Sequence, residues 1–245
     1  MSHGVKVNSG GGLAVPLTGR PLIRSASSPF PTHNLTRSYV EYPRVFYPST
    51  LLMRCRPTLQ ALTIYNPMSH TTNTLFKTLN GPADIAHIDA QTIVVSCAVI
   101  NSALAVNFGP DSRYNFTHIL PATTPKLSAE IFAVQKCLKL GRGIANVFGP
   151  DRVAVMRIVV ATSSKEIVKA MTRWLEEWTK NEAMPVQRTF EEFEDPADRK
   201  AMERIDRFVE EIVEEDGTEV EFWLLDNESL HETEALVREK LREAK

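Results

Sequence analysis

Few side chains here stand where their type and spacing could do chemistry, and the clearest of them is one carboxylate. Glu130 lies three residues after Leu127 and four before Val134, so it shares the apolar face of a helix, where a carboxylate without a partner is costly to bury. It needs a cation, either a metal ion or a basic side chain. Glu234 is placed inward on the last helix by its spacing of four from Leu230 and three from Val237, with His231 close by. Two serines also stand in structured places. Ser96 sits inside the run Ile93–Ile100, where a small hydroxyl bonds to a neighbouring strand or to water, and Ser163 stands three residues before Glu166, the spacing of a capping box. Lys165, Lys169 and Arg173 make the following helix basic.

Other constellations are missing. Gly10–Gly12 precedes no strand–helix unit, so there is no phosphate loop, and no Ser-His-Asp set suggests itself. Cys55, Cys97 and Cys137 are odd in number and lack metal-ligand spacing; they read as small buried thiols of a reducing compartment, hence of an intracellular protein of cytoplasm or nucleus. The longest apolar run, Ile93–Ile100, falls far short of the roughly 20 residues that span a bilayer, so no membrane association is expected. Residues 1–190 hold 20 Lys and Arg against 10 Asp and Glu, whereas residues 191–245 hold 8 against 20. The basic front suits phosphate, and equally an acidic tail in cis or in a homodimer; nucleic acid and protein partners both stay open.

The elements that must position these residues begin near Thr92. Residues 1–90 are rich in Pro, Ser, Thr and Gly and show no sustained period, which predicts a largely extended or disordered basic arm. Within it, Arg20, Arg24 and Arg37 precede the first acidic residue, Glu41, loosely as in a mitochondrial presequence, although glycines and prolines break any amphipathic helix. From residue 91 to 245 a second region reads as one α/β domain. Ile93–Ile100 is a buried strand, Ala103–Phe108 a second, and Tyr114–Leu120 a third beyond the turn Gly109–Ser112. Thr124 and Pro125 open a helix to about Leu140, Val155–Ala161 is a fourth strand, and a helix carrying Ile167, Met171, Trp174 and Trp178 follows. A third helix with Ile205 and Ile212, the strand Val220–Leu225 and the helix Leu230–Ala244 complete the chain. Three antiparallel strands followed by two reached through helical crossovers predict a mixed five-stranded sheet with helices on both faces.

That order resembles the ribonuclease H family, and local strings resemble its motifs. Val95-Ser96-Cys97-Ala98 stands where the family has its TDG-type motif, Ala129-Glu130-Ile131 resembles AEL, and Thr162-Ser163-Ser164 resembles TDS. Trp174 and Trp178 lie 11 and 15 residues past Ser163, as two family tryptophans lie past the aspartate, and Lys180-Asn181 resembles the pair that follows. The resemblance implies a site where carboxylates hold two Mg²⁺ ions about 3.5–4 Å apart to hydrolyse RNA in RNA–DNA hybrids. In this chain serines 96 and 163 replace two of the aspartates, Glu130 is retained, and the fourth position falls on Glu234 or His231. Magnesium needs hard, anionic oxygens, so the resemblance implies an inactive or severely weakened homologue with no metal, or weakly bound Mg²⁺ at Glu130. The same resemblance implies nucleic-acid contacts from Lys165, Lys169, Arg173, Lys180 and Asn181. The rival readings are an active nuclease with a rearranged set, Glu130, Glu234 and Asp111, and a protein-interaction scaffold.

Overall fold

Strand β4, His87–Ile100, is the axis of the molecule. Its β-branched core pairs in parallel with β7, Arg157–Thr162, which pairs in parallel with β8, Glu219–Leu224. On the opposite side of β4, the C-terminal half pairs antiparallel with β5, Ala103–Asn107, and β5 with β6, Phe116–Ile119. The computed structural model describes residues 44–46, 59–76, 87–147, 154–172 and 190–244, all within a compact unit that runs Tyr39–Lys245. Cys55, Arg173, Trp174, Trp178, Lys180 and Asn181 lie outside the described residues.

The fold class is α/β, and the sheet is larger than expected. Among the described residues it has eight strands, because three come from the predicted arm. Arg44–Val45 (β1) adds in parallel to β8, while Thr63–Asn66 (β2) and Thr71–Phe76 (β3) form a hairpin whose β3 pairs with the N-terminal half of β4. The boundary expected at 90/91 therefore falls inside β4. Polarity hid these strands: the hairpin is Thr- and Asn-rich because its hydrogen bonds to β4 and to the turn after β5, rather than an apolar stripe, fix it in place. A single turn of helix before it, α1 (Leu59–Leu62), adds apolar weight. Leu59 and Leu62 are buried with Val94, Val159, Ala161, Trp223 and Leu230.

Strict alternation along β4 divides the core. Ile93, Val95 and Cys97 face the cluster that includes Ile131, Val134, Cys137 and Leu138 of α2 (Lys126–Val147), Ile167 and Met171 of α3 (Lys165–Thr172), and Ile205 and Ile212 of α4 (Pro196–Asp216). Val94 and Ala98 point to the other face, under α1 and α5 (His231–Glu243). Helix α2 outruns its expected end at Leu140, and the reason is local. Gly141 does not terminate it; a Cβ there would lie 3.2 Å from Ile158 Cγ2, so the glycine lets helix and strand approach closely. Helix α4 starts as its sequence demands, with Asp195 accepting from the Ala197 N–H at 2.7 Å and Pro196 at the first position. Arg142 ties α2 to the end of α4 through Asp216 at 2.6 Å and Glu215 at 2.7 Å.

Candidate functional site

Ser96 and Asn107 are register neighbours on β4 and β5, and both face the side covered by α5. There Thr233, 1% exposed, brings its hydroxyl 2.7 Å from Ser96 Oγ. Asn107 Nδ2 donates to Thr233 Oγ1 at 3.4 Å, and Ser96 Oγ lies 3.4 Å from the Asn107 carbonyl. Asn107 Oδ1 is used as well, accepting from the Gly109 N–H at 2.9 Å. The centre of the sheet is thus a small neutral network in which two hydroxyls and an amide satisfy one another without charge.

Glu130 belongs to a second group, on the α2 face. Ser164 Oγ donates to its Oε2 at 2.6 Å, and Lys126 approaches its Oε1 at 3.5 Å. This is the salt-bridged alternative for a carboxylate on an apolar face, with a hydroxyl added. Ser164 stands between β7 and the first residue of α3, and Val168 N–H donates to its carbonyl. The helix therefore starts one residue later than the capping box expected at Ser163, no such box is seen among the described residues, and the Ser164 hydroxyl serves Glu130 rather than a free helix N–H. Ser163 is half-buried and makes no side-chain hydrogen bond to a described residue.

Glu234 is not at Ser96. Its carboxylate holds Arg238, one turn on, at 2.6 Å. His231 is exposed, with Nδ1 3.3 Å from Gln60 Nε2 of α1. The residue that meets Ser96 is Thr233, which stands three after Leu230 and four before Val237. Helical phase admits Thr233 as readily as Glu234, and the rule that charged side chains stay outward at equal phase would have chosen between them. Asn107 was legible only as the next-to-last residue of the strand expected over Ala103–Phe108.

The donor set does not fit Mg²⁺. At Ser96 it offers neutral oxygens already bonded to each other, and Glu130, on the α2 face and not brought to Ser96, is engaged with a hydroxyl and an ammonium. Among the described residues no three His, Cys, Asp or Glu side chains gather where they could hold a metal. Asp111 is exposed in the turn after β5, with φ of 56°, and it is not among the described partners of Glu130 or Glu234. Space is limited too. The cleft beside Ser96, lined by Leu59, Gln60, Thr72, Asn107 and Glu232 among others, holds about 30 Å³, room for on the order of two waters.

The turn that follows Asn107 is a docking platform. Gly109 has φ of 127°, and a Cβ on it would lie 2.2 Å from the Tyr65 ring and 2.7 Å from Thr72 Oγ1. Thr72 Oγ1 donates to the Phe108 carbonyl at 2.8 Å, and Asn115 braces the turn by accepting from Phe108 N–H at 2.8 Å and donating to the Gly109 carbonyl at 2.9 Å. The β2–β3 hairpin therefore rests on the string Phe108–Asn115.

Of the basic residues, Lys165 and Lys169 are exposed on α3 and make no ion pair with a described residue. No protein-family model matches the chain, and no curated protein matches it. Among the described residues no helix is long and apolar enough to cross a membrane.

Proposed function

We propose that the chain is a ribonuclease H-like domain that binds nucleic acid without cutting it. The observation that carries this reading is the 2.7 Å bond between the hydroxyls of Ser96 and Thr233, at the central strand where the resemblance implies a metal-binding aspartate. Two neutral groups that satisfy each other leave no charge with which to recruit Mg²⁺. The strand pairings support the fold half of the proposal: β6, β5 and β4 run antiparallel in sequence and β4, β7 and β8 run parallel, with α2 as the first crossover. For binding, the support is the exposed pair Lys165 and Lys169 and the basic balance of residues 1–190.

Two measurements test it. Purified protein incubated with an RNA–DNA hybrid and Mg²⁺ or Mn²⁺ is expected to release no product above a Glu130→Ala control. Binding to a hybrid or to double-stranded RNA is expected to weaken steeply with salt, and Lys165→Glu with Lys169→Glu should flatten that dependence by about two counterions' worth of slope. Cleavage lost on Glu130→Ala would overturn the reading, as would failure to bind any nucleic acid at low salt. A second reading, a protein-interaction scaffold, is favoured by one observation: α1 is packed over the Ser96 face, with Gln60 Nε2 donating to the Ser229 carbonyl at 3.3 Å.

A further inference from the structure

The free rim of the sheet carries an aromatic and basic surface that the Ser96 and Glu130 groups do not use. Strand β6 pairs with β5 alone among the described strands. On the α2 side it presents Phe116 and His118, two residues apart and therefore on one face. His118 stacks near Phe116, with centroids 6.0 Å apart and planes at 20°, and it also lies 6.0 Å from Phe132 of α2. Lys136, one turn beyond Phe132, holds its ammonium 5.2 Å from the Phe116 ring and 5.3 Å from the Phe132 ring. Lys139 continues the same helical stripe and is exposed, and at the next turn Gly143 faces open space. The two phenylalanines are half-buried against the core, whereas His118 is exposed.

Charge makes the occupant specific. Neither β6 nor this stripe of α2 contains an acidic residue, and Lys136 and Lys139 make no ion pair with a described residue. A rim with flat rings side by side, flanked by ammonium groups at helical spacing, matches the two features of a single strand of nucleic acid, which offers unstacked bases and a regular line of phosphates. A duplex hides its bases and would engage only the lysines. We propose that the β6–α2 rim is a binding site for single-stranded RNA or DNA, with a base stacked on His118 and phosphates met by Lys136 and Lys139. The proposal names a partner within the nucleic-acid reading and rests on it only in that sense, because its residues are separate from Lys165 and Lys169.

The test is fluorescence anisotropy of the full chain with a labelled single strand of about 12 nucleotides, a length within the range such sites cover, run as oligouridine and as oligothymidine, beside an RNA–DNA hybrid of equal length. His118→Ala is expected to weaken single-strand binding about tenfold, as loss of one stacked base does, and to leave the thermal midpoint unchanged. Lys136→Glu with Lys139→Glu should reduce the salt slope of single-strand binding by roughly 1.4, at about 0.7 per phosphate contact. Hybrid binding that persists while the single strand fails to bind, or binds equally well to all variants, overturns the rim site and leaves the broader reading standing. Single-strand binding sensitive to His118 with no hybrid binding supports the rim and overturns the duplex part of the broader reading. If neither probe binds, both fall; if in addition the chain dimerises through the rim, shown by loss of the dimer in Lys136→Glu with Lys139→Glu, the acidic tail of a second copy is the occupant instead.

Discussion

Ser96 and Thr233 hold each other, and substituting one tests what that pairing is worth. Ser96→Ala leaves Thr233 with the Asn107 amide still donating to it, so the expected loss is modest, about 1 kcal/mol in chemical unfolding. Ser96→Asp should cost more, on the order of 3 kcal/mol, because it introduces a carboxylate beside a neutral hydroxyl with no cation to meet it. If the aspartate variant were as stable as the alanine one, the pocket would have a source of positive charge that the arrangement lacks. Gly109 makes the opposite demand, for conformation and not for chemistry. Gly109→Ala should destabilise by more than about 2 kcal/mol, since the residue sits at φ of 127° and its Cβ would strike the Tyr65 ring. A thermal midpoint unchanged by that substitution would mean that the hairpin does not rest on this turn. At this scale the sequence was legible in type and misleading in neighbourhood: Glu130 was identified as a carboxylate needing a partner, and its partner is the hydroxyl of the adjacent Ser164 as much as Lys126. One-residue ambiguity, as between Ser163 and Ser164 or Thr233 and Glu234, is what helical phase alone leaves unresolved.

Among elements, the interface between α2 and β4 has a chemical signature of its own. Cys137 of α2 is fully buried, and burial first, then the neighbouring thiol of Cys97 on β4, pushes its own thiol well above the ordinary range. A thiol raised on folding keeps its proton in the folded state while the unfolded chain releases it. Stability from this group is therefore intact below the unfolded value of about 8.5 and declines as pH climbs from there toward the folded value. Between pH 7.5 and 9.5 the wild-type chain is expected to lose stability more steeply than Cys137→Ala, read as the difference between their denaturation curves. Equal losses would show that the thiol ionises as freely folded as unfolded. The elements after Thr92 occur in the order that periodicity gave, because each carries a buried stripe or an apolar run of its own. The glycines of α2 were misread as an end because a glycine at a close helix–strand approach and one at a helix terminus look alike until Ile158 is seen beside Gly141.

At the scale of the whole molecule, the residues before Thr92 decide how closed the Ser96 face is. Strands β2 and β3 extend the sheet beyond β4, and α1 lays Leu59 and Leu62 on Val94, Val159, Ala161 and Trp223. Their sequence gave little sign of this, since polar strands that bind a neighbour through backbone groups carry no periodic apolar signal. Leu62 is 2% exposed, and Leu62→Ala should cost about 3 kcal/mol, as a truncation that leaves a cavity in a core does. The same substitution should make amide protons of β4 residues 93–96 exchange faster, because α1 is part of what shields that stretch from the α5 side. A surface arm would behave differently: the change would fall within about 0.5 kcal/mol and leave exchange at β4 untouched. That outcome would reopen the Ser96 face as an exposed groove, where the cleft now has room for on the order of two waters.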